Sequence, residues 1–335
     1  ALVTTSCAME TYLENIQDNN NDNIDAETAV RDMVYASALP LLRGRIHEGR
    51  VRLSFLSEDH AQHKYHLQSC VDFGNPTPAL LHYHFWNDEF VAADADAVLT
   101  LQDDAVLCRP LQAKRYAEYA FVGAVWPKTA TPLLPNPPEG MCWGMPSLWK
   151  LLMLRVKRNN SPDEVQRLGI LPSYPDPCSH GNAPIGNGGL SWRLRSWMQR
   201  AIVTVPHAKW SGLHNDTTTT AARVMDDSIN EDYYFGTVLR GIGAPLPTAR
   251  VAGEFATESL FPAEVMAMYG NGDDASGATT PEVSLATIPI GFHKPWWYHS
   301  NEVLLSPTMQ QACPFLPFIF EPKMSRWEEV EHHTV

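Results

Sequence analysis

The sequence lacks several features that would each identify a class of protein. No apolar run in the 335 residues approaches the 18 or more that a membrane-spanning helix needs, so no span is predicted in this segment. Its 25 basic residues are outnumbered by 38 acidic ones, and the formal charge of −13 argues against a nucleic-acid partner. No internal repeat or heptad run is present, which argues against repeat and coiled-coil architectures.

The six cysteines are scattered and include no C-x-x-C pair, the spacing typical of zinc and redox sites. This pattern favours buried thiols over a disulfide framework. Glycosylation triplets begin at Asn159 and Asn215; they leave the compartment open but slightly favour a secretory-pathway lumen, Golgi or ER, over the cytoplasm. The chain begins at Ala1 without methionine, so we expect a trimmed or mature chain from which an anchor or signal could have been removed.

Hydrophobic periodicity predicts alternating helices and strands. Apolar faces predict helices that start near Asp25 and Asn230. The segments with the apolar or alternating pattern of strands are 1–8, 51–56, 97–102, 120–126 and 201–205. A buried strand that ends in carboxylates indicates an α/β sheet with a site at its carboxyl edge.

Two adjacent carboxylates, Asp103 and Asp104, directly follow the predicted strand at 97–102. Magnesium and manganese ions take one or two carboxylates and fill their other positions with water and substrate phosphates, so this pair is a candidate metal site. The alternative is a solvated pair that caps the loop. The pair by itself does not distinguish the two.

A glycine-rich segment, GNGG, contains Gly188 and Gly189 and precedes a predicted helix. Glycine allows the backbone to approach a ligand closely, so this loop can line a sugar or a phosphate, and a plain tight turn is the alternative. The spacing differs from that of Rossmann and P-loop motifs, so a dinucleotide-binding fold is not supported.

Glu231 and Asp232 occupy the first turn of the helix predicted after Asn230, where the helix dipole stabilises negative charge. We expect the two side chains to point to different sides of the helix. We also expect low pKa values, which suit a base better than an acid. Simple complementation of the dipole is the alternative.

His293 and Lys294 precede two tryptophans near the carboxyl end of the sequence. An imidazole can complete a metal site, and an adjacent ammonium can contact a diphosphate; a packed core histidine is the alternative. Trp192, Trp296 and Trp297 are candidates for stacking on sugar faces or for packing in the core.

Six short segments occur in a fixed order along the chain: LQDDAVLC, FVGAVW, GNGGLSWR, NEDYYFG, EFATE and GFHKPW. This ordered set, which runs over about residues 82–298, resembles the glycosyltransferase-like proteins of the DUF5672 family, itself similar to a branch of the GT-A superfamily. Gln102 stands where the usual metal motif of that superfamily has its first aspartate. The resemblance is therefore to a variant of that motif.

The resemblance implies a single GT-A-like catalytic domain over residues 1–335, an α/β/α sandwich around a mostly parallel mixed sheet. Its nucleotide-binding half is expected at 1–110 and its acceptor and catalytic half at 111–300, with a C-terminal extension at 301–335. The proline-rich region 127–185 is longer than expected between the matching segments, which indicates an acceptor lid.

The resemblance also implies site roles. Asp104 and His293 would hold the Mn²⁺ or Mg²⁺ ion that bridges the diphosphate of a nucleotide-sugar donor. Asp232, with Glu231 as second choice, would be the general base of an inverting enzyme. The residues expected around the donor are Gln102, Asp103, Gly188, Gly189, Lys294 and Trp296.

The sequence therefore predicts a metal-dependent glycosyltransferase. It would move a sugar from a nucleotide-diphosphate donor to a hydroxyl of a glycan, a glycoprotein or another acceptor. Two alternatives stay open. One is a non-catalytic carbohydrate-binding protein on the same fold. The other is a metal-dependent hydrolase, against which the lack of a dense His/Asp cluster argues.

Overall fold

The protein was analysed as a computed structural model. The residues that the structure describes are 2–5, 53–56, 80–83, 85–89, 95–102, 105–127, 161–175, 186–205, 231–269 and 288–317. The chain divides into two compact units, one of residues 1–95 and 206–223 and the other of 96–205 and 224–335. All candidate site residues belong to the second unit. The resemblance implies one catalytic domain with a nucleotide-binding half and an acceptor half, and this division stays a prediction.

The first unit contains two short strands that pair in parallel. Strand β1 (Leu2–Thr5) pairs with β2 (Leu53–Leu56), which confirms the strands predicted at 1–8 and 51–56. A π-helical turn follows at Phe85–Glu89.

The first sheet of the second unit has β6 (Leu190–Leu194) at its centre. It pairs antiparallel with β3 (Ala97–Leu101) on one side and with β5 (Phe121–Val122) on the other. Strand β6 follows the glycine loop without a break, so the loop lies beside the end of β3. There, the Gln102 amide donates a hydrogen bond to the Gly189 carbonyl over 2.8 Å.

The second sheet of this unit has β8 (Gly291–His293) at its centre. It pairs antiparallel with β4 (Ala105–Leu107) and parallel with β7 (Ala256–Thr257). Ala105, the residue that follows Asp104 in sequence, stands opposite His293. His293, one of the two predicted metal ligands, is therefore the last residue of β8 and pairs with the first residue of β4.

The described strands combine parallel and antiparallel pairings, and helices accompany them, so the α/β class is confirmed. Of the described pairings, two are parallel and three are antiparallel. The sheets are small and mixed. The GT-A fold and a mostly parallel sheet stay predictions.

The helices of the second unit correct two sequence-based predictions. The described α-helices are α1 (Ala113–Tyr116), α2 (Pro162–Arg167), α3 (Arg195–Thr204), α4 (Glu231–Gly241), α5 (Ala249–Phe255), α6 (Pro262–Tyr269), α7 (Asn301–Leu304) and α8 (Pro307–Ala312). The prediction of a strand at 201–205 is wrong, because residues 201–204 continue helix α3. The buried face of this helix includes Met198, Ala201 and Ile202. Helix α2 lies inside the proline-rich region 127–185, for which no helix was predicted. No described helix is long and apolar enough to cross a membrane.

A disulfide joins Cys108, the residue after β4, to Cys313, the residue after α8. The two cysteines are 205 residues apart in sequence, so their spacing gave no sign of the pairing. The expectation of buried thiols is wrong for these two residues. The bond lies beside a core in which Phe292 of β8 is fully buried against the C-terminal helices.

We expect Cys108→Ser to lower the free energy of unfolding by about 2–4 kcal/mol, because the bond closes a long loop and constrains the unfolded chain. Denaturant-induced unfolding of the oxidised protein measures the loss. The double variant Cys108→Ser/Cys313→Ser should lose no more than the single one, since one bond is removed in both. An unchanged unfolding midpoint would contradict the pairing.

Candidate functional site

The glycine loop is held in place by hydrogen bonds to its own neighbours. The Gly189 amide donates to the Asn187 side-chain oxygen over 3.1 Å, and the Ser191 hydroxyl donates to the Gly188 carbonyl over 3.0 Å. All four of these residues are buried. These hydrogen bonds therefore hold the loop in one conformation beside the site.

Two glycines of the loop allow other side chains to approach the backbone. A β-carbon at Gly188 would overlap the Glu231 carboxylate and would lie 2.8 Å from the Arg193 guanidinium, and one at Gly189 would overlap the His293 ring. The close approach expected from the sequence is present, but here it is made by the protein's own side chains. Because neither glycine has a positive φ, the requirement is steric.

A buried ion pair links the first sheet to helix α4. Arg193 Nη2 lies 3.2 Å from Glu231 Oε1, and the two side chains are 0% and 5% exposed. Arg193 also donates to the Ser191 hydroxyl over 2.8 Å and to the Gly188 carbonyl over 3.3 Å. Burial lowers the pKa of Arg193, and the charge of Glu231 opposes that effect. Glu231 is therefore the counterion of a buried cation.

The rings of Phe121 and Phe235 flank the Arg193 guanidinium, with centroids 5.2 and 5.6 Å from its central carbon. These contacts are cation–π interactions, which stabilise a desolvated cation. The Nη1 atom of Arg193 has no hydrogen-bond partner among the described residues. Ring contacts as well as hydrogen bonds therefore hold the guanidinium.

Asp232, the next residue of helix α4, has different surroundings. It is half-buried, and its Oδ1 accepts a hydrogen bond from the Tyr233 amide over 2.8 Å. Loss of solvent raises its pKa well above the usual aspartate value, and repulsion from Glu231 and Glu258 raises it further. The low pKa expected from the helix dipole is therefore wrong, because burial and like charges outweigh the dipole.

His293, at the end of β8, contacts two polar side chains. Its Nδ1 lies 3.2 Å from Glu258 Oε1, and its Nε2 lies 3.0 Å from Gln102 Oε1. The His293 and Glu258 side chains are 4% and 10% exposed. The ring therefore lies between a carboxylate oxygen beside Nδ1 and an amide oxygen beside Nε2.

Metal binding by His293 stays a prediction. The contact between His293 Nε2 and Gln102 Oε1 is a hydrogen bond when Nε2 carries the proton, and with the proton on Nδ1 a rotated glutamine amide would donate instead. Within the described residues no group of three or more His, Cys, Asp or Glu side chains could hold a metal by itself. Asp103 and Asp104 lie outside the described residues.

The residues after His293 form a tight turn. Lys294 is half-buried and adopts a left-handed backbone conformation, with φ 45° and ψ 42°. Trp296 is half-buried against the core of the second sheet, and Trp192 is buried in the first sheet. Trp297, in contrast, is 62% exposed. Of the three candidate stacking tryptophans, Trp297 is the exposed one.

Sequence reasoning missed two residues of the site. Arg193 and Glu258 lie in two of the segments that carry the family resemblance, GNGGLSWR and EFATE, but no function was predicted for either residue. The available signal for Arg193 was a charge within a strand whose other residues are mostly apolar. Glu258 carried no comparable signal, because its partner His293 is 35 positions away in sequence.

Comparison with known proteins gives one family. The family model described as "Protein of unknown function (DUF5672)" matches residues 76–272, more than half of the chain. The chain belongs to this family. The matched residues include the glycine loop, Glu231, Asp232 and Glu258, whereas His293 lies beyond the DUF5672 match. No curated protein and no solved structure matches the chain.

We expect Gly189→Ala to destabilise the protein by about 1–3 kcal/mol, because the added methyl group would displace the buried His293 ring. Gly253→Ala is the matched control, since its β-carbon would lie 3.3 Å from Val265 side-chain atoms and alanine favours helix α5. Denaturant unfolding of both variants measures the difference. Equal stability of the two would contradict the packing described here.

The adjacent carboxylates of α4 should respond oppositely to neutralisation. Glu231→Gln removes the counterion of a buried guanidinium, so we expect a loss of about 3 kcal/mol or more. The pKa of Asp232 is higher in the folded protein than in the unfolded chain. Its contribution to stability is therefore fully present below the unfolded-state pKa and is lost as the pH rises through the folded-state pKa. Asp232→Asn should therefore raise the melting temperature at pH 7.

The pH dependence separates this electrostatic cause from a change in packing. The gain of Asp232→Asn should disappear below about pH 4, where the wild-type carboxyl is protonated in both states. Melting curves from pH 3 to pH 8 measure it. A gain that is independent of pH, or a stability loss at pH 7, would show that Asp232 is not under electrostatic strain.

Proposed function

We propose that this protein is a metal-dependent glycosyltransferase that transfers a sugar from a nucleotide-diphosphate donor to a hydroxyl acceptor. One observation carries the proposal: His293, Gln102 and the carboxylates of Glu258 and Asp232 share one site with the glycine loop. The resemblance to GT-A enzymes supports the same reading. Mn²⁺ or Mg²⁺ would be held by Asp104 and His293 and would neutralise the leaving diphosphate.

The two carboxylates at the start of α4 have separate tasks in this proposal. Glu231 is the counterion of Arg193 and positions the helix, and Asp232 is the general base. Arg193 supports this division because it contacts Glu231 directly. A base works best when its pKa is near the working pH, so a raised pKa suits Asp232 for this role.

The reaction proceeds by a single displacement. Asp232 accepts the proton of the acceptor hydroxyl as that oxygen forms a bond to the anomeric carbon of the donor. The bond from that carbon to the diphosphate oxygen breaks, and its electron pair leaves with the nucleoside diphosphate. Attack opposite to the leaving group inverts the configuration. Gly188 and Gly189 would line the donor sugar, and Lys294 would contact the phosphates.

Thermal shift with a panel of nucleotide sugars tests the proposal. A ligand at 100 times its Kd stabilises the folded state by about 2.7 kcal/mol, so a matching donor should raise the melting temperature when Mn²⁺ is present. His293→Ala and Asp104→Ala should abolish the Mn²⁺-dependent shift. No shift with any common nucleotide sugar would contradict the proposal.

Turnover then tests the base. Asp232→Asn should keep the thermal shift and lower kcat by about 10²–10⁴. Glu302→Gln is the matched control, because Glu302 is an exposed carboxylate in the first turn of helix α7. The acidic limb of the kcat/KM profile should lie above about pH 4, the usual range of an aspartate. Full activity of the Asp232→Asn variant would show that Asp232 is not the general base.

A further inference from the structure

Two neighbouring aromatic side chains are open to solvent at one end of the site. Trp297 is 62% exposed and Tyr298 is 54% exposed. Among the described residues, the other exposed large hydrophobic side chain is Val203, on helix α3. Large aromatic rings usually contribute to a core or an interface, so two adjacent exposed rings indicate a contact surface.

The two rings are held at a fixed place by the turn that carries them. The Trp297 amide donates to the Lys294 carbonyl over 3.1 Å, and the Tyr298 amide donates to the Pro295 carbonyl over 3.2 Å. The left-handed conformation of Lys294 begins this turn. Such conformations are sparsely populated and persist where the surrounding structure enforces them, often at functional sites.

The turn ends against the strand that brings Glu258 into the site. His299 Nε2 lies 2.9 Å from the Glu258 carbonyl, and its ring packs on Phe261 with centroids 4.3 Å apart. The chain from His293 to His299 therefore starts and ends on contacts with Glu258. Burial raises the pKa of Tyr298, and the charge of Glu258 adds to that effect. Tyr298 therefore lies near the carboxylate of Glu258.

We propose that Trp297 and Tyr298 form a stacking platform for a sugar ring of the acceptor, and this inference rests on the proposed function. One face of a pyranose presents C–H groups, which pack on the electron-rich face of an aromatic ring. The sugar hydroxyls need polar partners, and the exposed Ser300 and Asn301 follow the rings directly. The acceptor, which arrives from solvent, fits this open end better than the donor, whose phosphates belong at the buried His293.

Binding to an immobilised oligosaccharide array tests the platform without a known acceptor. The wild-type protein should bind a subset of glycans, and Trp297→Ala should weaken that signal at least about tenfold. Trp297→Phe should restore part of it, because a smaller ring still stacks. Tyr298→Ala should also weaken binding. Val203→Ala is the control, because it removes an exposed hydrophobic side chain outside the platform and should leave glycan binding unchanged.

Thermal shift with Mn²⁺ and nucleotide sugar distinguishes this inference from the proposed function. The Trp297→Ala variant should keep the donor-dependent shift of the wild type. Glycan binding that depends on Trp297, without any nucleotide-sugar turnover, would support the platform and refute the transferase.

Three outcomes would overturn the platform. The first is a wild-type protein that binds no glycan. The second is glycan binding that survives Trp297→Ala and Tyr298→Ala. The third is an effect of these variants only on flotation with phosphatidylcholine vesicles or on the dimer fraction in gel filtration, since the surface would then serve a membrane or a second copy.

Discussion

Arg193 places a full positive charge inside the central strand of the first sheet, and the arrangement of the site depends on how that charge is balanced. Its guanidinium is fully buried, so the fold must supply a counterion and hydrogen-bond acceptors within reach. Glu231 supplies the charge from the start of helix α4, and Gly188 supplies a carbonyl from the loop. Strand, helix and loop are thereby fixed relative to one another.

This requirement explains why the two adjacent carboxylates of α4 differ. Glu231 contacts the buried cation, whereas Asp232 is repelled by the charges of Glu231 and Glu258. One side chain gains stability from its neighbours, and the other is held where ionisation is unfavourable. A carboxyl held where ionisation is unfavourable agrees with the general-base role proposed for Asp232, because active sites often sacrifice stability in this way.

The second sheet holds the other half of the site. Strand β8 brings His293 beside Gln102, and the Cys108–Cys313 disulfide attaches the neighbouring strand to the C-terminal helices. The turn after His293 then leaves two aromatic rings exposed. In the proposed function, the buried polar groups would face the charged part of the donor and the exposed rings would face a sugar of the acceptor.

Local patterns in the sequence determined several features of this protein. Periodicity located strands at 53–56 and 97–101 and the helix that begins at Glu231, because each pattern reflects burial of one face of one element. The order of short segments predicted the DUF5672 family, which the comparison confirmed. It also singled out Glu231, Asp232 and His293, which the structure places in one unit.

Only the tertiary structure decided which partners these residues contact. Arg193 became the counterion of Glu231, Glu258 became the partner of His293, and Cys108 was joined to Cys313, through contacts between residues far apart in sequence. The pKa of Asp232 was predicted in the wrong direction, because the helix dipole acts locally while burial and opposing carboxylates arise from packing. Sequence patterns report what a residue does within its own element, and charge balance in a site is set by elements that meet only after folding.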